Sequence, residues 1–461
     1  MALQEERKEK VARVVRRLRE SGFQTYLVGG CVRDLLLGRE PADYDVATGA
    51  LPDQVVGLFL RTQTVGAQFG VVLVYEDGEE IAVATFRSDA PYLDGRHPQQ
   101  VLYTQDPRHD VQRRDFTING LLFDPLAPDL GPGFRVSASA EPALYHEERV
   151  IDYVGGIADL RAGIIRAIGQ PEHRFAEDRL RMLRAVRFAA RFGFRIEQRT
   201  WEAIARLHGG ILQVSRERIR DEVLRILTEG GARRGFELLD QSGLLGDLLP
   251  EVAALQGVEQ PPEFHPEGDV WRHTLIMLGQ MKNPSPELAL GVLLHDIGKP
   301  PTFRLADRIR FDNHAPIGAR MAEAVCERLR LARRQTEQVT SLVANHLRFK
   351  DVTQMRPAKL KRFLQMERFD EHLELHRLDC VGSHGGLGNY DFVKKKLEET
   401  PAEEIRPAPL ITGSDLIAEG YVPGPHFKTM LQAVEEAQLD GEIHSREEAL
   451  ELLHRRFPPD R

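Results

Sequence analysis

The chain has 461 residues, enough for about three domains. Hydrophobic residues make up 42% of it, which excludes a disordered or fibrous protein. Its 62 basic and 70 acidic residues give a net charge of −8, which argues against a protein that is basic overall and binds nucleic acid. No apolar run is long enough to cross a bilayer, and three scattered cysteines exclude a disulfide framework. We therefore expect a cytoplasmic protein with no membrane partner.

The apolar pattern divides the chain into a mixed head and helical domains. The head combines an amphipathic opening helix with short apolar strands such as residues 25–28, 71–75 and 81–85. A loop rich in Pro, Gly, Ser and Ala follows at 127–146, and helical spacing dominates afterwards. We expect an α+β head with a mixed sheet at 1–150, then an all-α neck at 151–255, a second helical domain at 256–400 and a helical tail at 401–461.

Two glycines, Gly29 and Gly30, separate the first strand from a helix. Such a turn lets the backbone approach a phosphate, and the N–H groups of the helix would point towards it. Arg33, one turn into this helix, could pair with the same anion. A Gly-Gly turn alone also fits an ordinary connection between a strand and a helix.

Two carboxylates, Asp43 and Asp45, follow about a dozen residues later. In an extended strand, residues two apart face the same way, so these side chains should converge on one point. Such a pair suits one or two Mg²⁺ ions that hold nucleotide phosphates. A solvated turn is the alternative for an isolated pair, but the glycine turn beside it favours the metal site.

A third cluster joins the basic residues Arg113 and Arg114 to Asp115, with Asn119 one turn further on. Asn119 could hydrogen-bond a ribose or a base. The polar stretch 88–112 before it could be a mobile lid over an active site. An ordinary surface loop explains its composition equally well.

Charged residues recur every three positions in the neck, at Asp178, Arg181, Arg184 and Arg187. Residues three apart are neighbours on a helix, so they should form a slanting row. A solvated helix face is the ordinary explanation for such a run. An Asp beside an Arg can also pair with the edge of a base.

These motifs resemble the class II nucleotidyltransferase family, which comprises bacterial CCA-adding enzymes and poly(A) polymerases. The resemblance covers most of the first 250 residues, in family order. It is carried by Gly29-Gly30 with Arg33-Asp34, Asp43-Tyr44-Asp45, residues 113–119, Glu177-Asp178 with Arg181, and residues 216–222. It implies a nucleotidyltransferase head, a helical neck, and addition of nucleotides to the 3′ end of tRNA from CTP and ATP.

The resemblance also implies roles for individual residues. Asp43 and Asp45 would hold Mg²⁺, with Asp115 as a third catalytic carboxylate, and Asp178 and Arg181 would form a protein template for the incoming base. The other nucleotide-binding residues would be Gly29, Gly30, Arg33, Arg113, Arg114, Asn119, Arg184 and Arg187. The stretch 88–112 looks full length for a family member that adds A. Terminal A addition and poly(A) synthesis remain open alternatives, because these enzymes share the motifs.

Histidines and aspartates with wide spacing mark the second helical domain. They are His273, the adjacent pair His295-Asp296, His314, His346 and Asp379. Imidazole and carboxylate ligands suit Mn²⁺, Ni²⁺, Fe or Mg²⁺ better than a thiolate zinc site. His265 lies nearby, and we assign it to the linker.

This order resembles the HD superfamily of metal-dependent phosphohydrolases, and HD domains occur fused behind the nucleotidyltransferase family. The resemblance implies hydrolysis of a phosphomonoester, nucleotide or cyclic phosphate. Two further hypotheses stay open: a phosphohydrolase with a vestigial head, and a non-enzymatic RNA-binding scaffold.

Overall fold

A computed structural model describes residues 2–65, 70–89, 101–127, 149–263 and 265–458. The chain divides into two compact units, Met1–Pro250 and Glu251–Arg461. Part of the predicted lid at 88–112 and nearly all of the loop at 127–146 lie outside the described residues. The boundaries of the four domains expected from the sequence stay predictions.

The first unit is built on a seven-stranded mixed sheet with strand order β3-β4-β5-β2-β1-β8-β9. Its strands are β1 Thr25–Val28, β2 Asp45–Thr48, β3 Thr62–Val65, β4 Val71–Glu76, β5 Glu79–Thr85, β8 Leu121–Phe123 and β9 Val150–Asp152. Two small pairs, β6 Arg87–Asp89 with β7 Val101–Tyr103 and β10 Ile164–Ile165 with β11 Arg195–Ile196, complete the strands of this unit. Strand β2 runs parallel to β5 and antiparallel to β1.

Helices cover the sheet and then form the neck. They are α1 Ala2–Glu20, α2 Gly30–Leu36, α3 Pro52–Leu58, α4 Pro107–Gln112, α5 Gly156–Ala162, α6 Pro171–Glu177, α7 Arg181–Phe192, α8 Gln198–Leu207, α9 Arg216–Thr228, α10 Ala232–Gln241 and α11 Leu244–Leu248. A short helix, α12 Pro250–Ala253, follows. The alternating burial of β4 and β5 confirms the strands predicted from their apolar pattern.

In its described residues, the second unit is helical apart from one hairpin, β12 Phe303–Leu305 with β13 Ile309–Phe311. Its helices are α13 Val270–Gln280, α14 Pro286–Leu294, α15 Lys299–Thr302, α16 His314–Arg328, α17 Arg333–Asn345, α18 Pro357–Leu364, α19 Phe369–Gly382, α20 Gly388–Glu399, α21 Ala402–Ile405, α22 Gly413–Ala418, α23 His426–Asp440 and α24 Arg446–Arg456. The last three share an apolar core of their own.

Helix α14 explains how the second unit holds its polar residues. It begins with a capping bond from the Leu288 amide to the Ser285 hydroxyl, and all residues from Glu287 to Leu294 are buried. A helix that is apolar on every side must be enclosed by its neighbours. Its last turn therefore delivers His295 and Asp296 into the interior of the unit.

In the described part of the chain, no helix combines the length and the apolarity that crossing a bilayer requires. All three cysteines are free and buried, which fits the predicted absence of a disulfide framework.

Candidate catalytic and metal-binding sites

The glycine turn brings an arginine to the end of β1. Gly29 has a φ of +79°, and a Cβ at this position would lie 3.1 Å from Nη1 of Arg114. The sequence did not reveal how Arg114 is held: Asp110 accepts from Arg113 through Oδ1 (2.8 Å) and from Arg114 through Oδ2 (2.9 Å). Burial alone would raise the pKa of Asp110, but the two guanidiniums hold it below its usual value. The sequence signal for these two ion pairs was the position of Arg113 and Arg114, three and four residues after Asp110.

The paired carboxylates Asp43 and Asp45 are both exposed. The prediction that they share one strand is wrong in part, because β2 begins at Asp45 and Asp43 lies in the bend before it. They still interact: partial desolvation raises the pKa of Asp45, the Asp43 carboxylate adds to this rise, and Arg114 opposes it. The pair thus offers accessible oxygens beside the guanidinium that reaches the glycine turn.

Arg33, predicted to meet an anion, is only 4% exposed. Its Nε and Nη2 donate to Oδ1 of Asp34, and its Nη1 donates to Oδ1 of Asn119 at 2.7 Å. The guanidinium carbon also lies 5.0 and 4.8 Å from the ring centres of Phe188 and Phe192. Arg33 and Asn119 are therefore packed beneath the site and hold each other, which the sequence pattern could not reveal.

Asp115 is buried and receives several donors. Its Oδ1 accepts from the Phe116 amide at 2.8 Å and from Nδ2 of Asn119 at 3.1 Å, while Oδ2 accepts from Nε of Arg184 at 2.8 Å. Burial alone would raise the pKa of Asp115, but these partners lower it to about 2. In this arrangement, Asp115 orients Arg184.

We predict that D115N destabilises the first unit by roughly 2 kcal/mol at neutral pH. The folded-state pKa of about 2 lies below the ordinary value of 3.8, so the ionised carboxylate stabilises the fold above about pH 4. That contribution disappears as the pH falls towards 2. Urea unfolding at several pH values should show the gap between wild type and D115N narrowing below pH 4. A gap that stays constant would contradict this.

The three-residue row in the neck is broken at Asp178. Helix α6 ends at Glu177 and α7 begins at Arg181, so Asp178 lies between two helices. The spacing had predicted that Asp178 lies on the same helix as the arginines. The cause is local, because Oδ1 of Asp178 accepts from the Leu180 amide at 3.1 Å. Arg218, from α9, donates to both oxygens of Asp178 at 3.2 and 2.7 Å. A carboxylate has about four acceptor positions, and these bonds use three.

Arg181 is partly buried and held from three directions. Nη1 donates to Oε2 of Glu177 at 2.6 Å and to the carbonyl of Arg174, and Nη2 donates to the carbonyl of Arg113 at 2.9 Å. Within the described residues, these bonds leave two of its five N–H donors. Asp178 and Arg181 thus each keep hydrogen-bonding capacity, but they do not pair with each other.

Arg187, the last residue of the row, points into the neck and is 4% exposed. Its Nε donates to Oε2 of Glu222 at 2.7 Å, and its Nη1 donates to Oε2 of Glu229 at 3.0 Å. Nη1 of Arg184 lies 3.7 Å from Oε1 of Glu222. The expectation that Arg187 contacts a nucleotide therefore has no support in its placement. Glu222 ends the 216–222 motif, which was the only sequence signal for this buried ion pair.

The second unit brings all six predicted metal ligands together. Oδ1 of Asp296 lies 3.6 Å from Nε2 of His314 and 3.8 Å from Nε2 of His346, and Oδ1 of Asp379 lies 3.2 Å from Nε2 of His273. The His295 ring centre lies 5.4 Å from that of His273. Two sets among these six residues have ligand geometry: His273 with His295 and Asp379, and Asp296 with His314 and His346.

The histidines present the nitrogens that a cation needs. Nε2 of His273 and of His295 is buried and makes no hydrogen bond within the described residues. Burial lowers the pKa of His346 to about 4, which keeps the ring neutral. Burial alone would raise the pKa of Asp296, but His295 and Lys299 hold it well below its usual range. At His273, burial alone would lower the pKa, but Asp379 and Glu267 raise it to about 9. The neutral ring of His346 and the ionised carboxylate of Asp296 are ligand types that fit a divalent cation.

His265, which we assigned to the linker, lies in the segment before α13. His265 lies against the metal ligands: its Nδ1 donates to Oε1 of Glu267 at 2.9 Å, and Nδ1 of His273 lies 2.8 Å from the same oxygen. Its ring centre is 5.2 Å from that of His273. The Pro and Glu residues around His265 are typical of a linker, which is why we assigned it there. The only sequence signal that His265 lies close to His273 was their separation of eight residues.

A cavity of about 840 Å³ opens onto this cluster. Asp296, His314, His346 and Asp379 line one part of it. Four cations line it as well: Lys299, Arg308, Arg310 and Lys350. Such a cavity suits an anionic molecule large enough to be a nucleotide or a longer phosphate ester.

Comparison with known proteins identifies the classes of these domains. Residues 25–166 match the Poly A polymerase head domain, and residues 193–255 match the probable RNA and SrmB-binding site of polymerase A. Residues 270–379, which contain all six predicted ligands, match the HD domain. The chain thus has a nucleotidyltransferase-type head, the RNA-binding region that accompanies it, and an HD domain.

CCA-adding enzymes are among the relatives of this chain. That of Lactobacillus johnsonii is 34% identical over 273 residues, which are 58% of this chain and 62% of the relative. That of Bacillus subtilis is 36% identical over 278 residues, 59% of this chain and 65% of the relative. The chain is therefore similar to CCA-adding enzymes, and the matches span less than two thirds of these relatives' lengths.

Solved structures confirm the fold over nearly the whole chain. The Bacillus stearothermophilus CCA-adding enzyme in complex with CTP has a TM-score of 0.69 and 24% identity, and the match covers 97% of each chain. The Thermotoga maritima CCA-adding enzyme complexed with tRNA has a TM-score of 0.56 and 20% identity, and the match covers 96% of this chain and 93% of that one. An α+β head followed by helical domains is therefore confirmed.

Proposed function

We propose that this protein is a template-independent RNA 3′-end nucleotidyltransferase that adds or repairs the CCA end of tRNA from CTP and ATP. The observation that carries the proposal is the exposed pair Asp43 and Asp45, close to the glycine turn and Arg114, in a family of CCA-adding enzymes. Its products would be the extended RNA and pyrophosphate. We also propose a cytoplasmic location.

The donor set of the head fits Mg²⁺, which typically takes one or two carboxylates together with phosphates and water. Magnesium held by Asp43 and Asp45 would supply charge neutralisation at the phosphates and a lower pKa for the attacking hydroxyl. The new bond joins the 3′ oxygen to the α-phosphorus, the bond from that phosphorus to the bridging oxygen of pyrophosphate breaks, and the hydroxyl proton passes to solvent.

The chain's own residues would position the reactants. Arg114, held by Asp110, would contact the triphosphate above Gly29 and Gly30, with Arg113 beside it. Asp178 and Arg181 would use their remaining acceptor and donor positions on the edge of the base. Arg33, Asn119, Asp115 and Arg184 would support the floor of the site through their mutual bonds.

The test offers each triphosphate separately, with Mg²⁺, to tRNAs that end before C74, before C75 and before A76. We expect CTP to extend the first two and ATP the third, with no extension of a generic RNA oligomer. No incorporation of either nucleotide would reject the proposal. Extension of the third tRNA alone would indicate an A-adding enzyme, and long A tails on the oligomer would indicate a poly(A) polymerase.

We infer a second activity, metal-dependent phosphohydrolysis, in the HD domain. The buried ligand cluster at the base of a cavity with four cations supports it. Mn²⁺, Ni²⁺ or Mg²⁺ held by the six ligands would supply an activated water for attack on a phosphate ester. Lys299, which lines this cavity and whose Nζ lies 2.7 Å from Oδ2 of Asp296, would meet the phosphate.

This activity is tested on the full chain with phosphomonoesters, nucleotides and cyclic phosphates in the presence of each metal. Replacing His295 and Asp296 with Ala should abolish hydrolysis and leave nucleotide addition unchanged. Loss of both activities together would contradict two separate sites. Hydrolysis without any nucleotide addition would instead favour a vestigial head, and metal-independent tRNA binding without turnover would favour an RNA-binding scaffold.

A further inference from the structure

Three of the four histidines in the HD cluster are oriented in the same way. Nδ1 of His295, His314 and His346 lies 2.9, 2.8 and 2.7 Å from the carbonyl oxygen three residues earlier in each case. Each backbone carbonyl accepts the Nδ1 proton, so Nε2 keeps its lone pair for a cation. This arrangement fixes both the tautomer and the direction of the ring.

His273 is the exception. Its Nδ1 lies 2.8 Å from Oε1 of Glu267, a buried side chain contributed from outside helix α13. The carbonyl three residues earlier belongs to Val270, and the oxygen of Val270 instead accepts from the hydroxyl of Thr274 at 2.9 Å. A carboxylate therefore takes the place that a backbone carbonyl takes at the other three histidines.

We propose that Glu267 is a positioning residue for the HD metal site, and that His265 in turn holds Glu267. Glu267 takes the Nδ1 proton of His273, so that Nε2 of His273 faces Asp379 and the centre of the cluster. The inference rests on the metal site of the proposed phosphohydrolase. It assigns a function to residues that precede the HD domain match, which begins at residue 270.

A direct role in metal binding is the competing explanation, because His265, Glu267 and His273 also have ligand geometry. A cation there would bind Nδ1 of His273 while another bound its Nε2, which requires an imidazolate anion with no proton on either nitrogen. A hydrogen bond from Nδ1 to Glu267 requires only the neutral ring. In this structure the Nδ1–H direction does not point at Oε1 of Glu267, so no hydrogen bond is formed. The two atoms are 2.8 Å apart, so a rotation of the imidazole would align the bond.

The second half of the arrangement is the bond from His265 to Glu267. Nδ1 of His265 donates to Oε1 of Glu267 at 2.9 Å, which is the same oxygen that lies beside His273. Oε2 of Glu267 is buried and has no hydrogen bond within the described residues. His265 is therefore the group that fixes the rotamer of Glu267.

The experiment measures Mn²⁺ binding to the full chain in a D45N background, which removes the proposed cation site of the head. E267A should bind Mn²⁺ about 10–100-fold more weakly than the parent, the usual cost of losing a carboxylate behind a ligating histidine. E267Q keeps an acceptor oxygen and most of the packing, so it should recover part of the affinity. E263A is the matched control, since Glu263 lines the same cavity and is exposed.

The remaining variants separate positioning from ligation. H265A should weaken binding less than E267A does, and the double variant should bind no more weakly than E267A, because His265 acts through Glu267. Unchanged affinity in both Glu267 variants would overturn the inference and leave the metal site intact. Loss of one bound Mn²⁺ per chain in E267Q would overturn the inference and show that Glu267 is itself a metal ligand. A parent chain whose bound Mn²⁺ survives replacement of His295 and Asp296 would reject both proposals.

Discussion

Replacing Asp45 with Asn should lower the rate of nucleotide addition roughly a thousandfold. The amide keeps the shape of the side chain but removes one of the two carboxylate charges that would hold the cation. A held cation lowers the activation free energy by several kcal/mol, and each loss of about 1.4 kcal/mol slows the reaction about tenfold. The measurement is the single-turnover rate of CTP incorporation on a tRNA that lacks its CCA end, at saturating Mg²⁺.

D53N is the matched control for this variant. Asp53 is an exposed carboxylate in the first turn of α3, on the same head, and its replacement should leave the rate within about twofold. A D45N rate within tenfold of the wild-type rate would remove Asp45 from the proposed metal site. A D43N variant extends the test to the carboxylate that precedes β2.

The sequence predicted the elements whose pattern is local. The strands predicted at 25–28, 71–75 and 81–85 were recognisable because each is a short apolar run rich in β-branched and aromatic residues, and this composition is written directly in the chain. The six candidate ligands of the HD domain were recognisable from the order of His and Asp residues that resembles the HD superfamily, although they span more than a hundred residues.

The environment of the arginines was not predictable, because it depends on residues distant in sequence. Arg184 and Arg187 looked like part of an exposed row, yet Asp115 and Glu222 approach them from 69 and 35 positions away. Asp178 left the row because its own side chain bonds the Leu180 amide and ends the helical pattern. The three-residue spacing of charged residues predicts an uninterrupted helix. It gives no information about where a bond from a side chain to the backbone ends that helix.

Glu222 lies at the centre of the buried ion pairs of the neck, and we expect E222A to destabilise the first unit by about 3–5 kcal/mol. The reason is the charge that remains: Arg187 is 4% exposed and would lose the acceptor of its Nε, keeping only its bond to Glu229. E217A is the matched control, because Glu217 lies on the same helix and is exposed.

The chain has two units and E222A lies in the first, so the unfolding signal must come from that unit. The chain has two tryptophans, Trp201 in the first unit and Trp271 in the second. In a W271F background, the fluorescence of Trp201 reports urea unfolding of the first unit alone. A midpoint for E222A equal to that of E217A would show that the Arg187 charge finds another partner, and the buried network would then have no part in holding the neck. The E222A replacement also removes the carboxylate that faces Nη1 of Arg184. We therefore expect nucleotide addition by E222A to fall even at temperatures where the first unit stays folded.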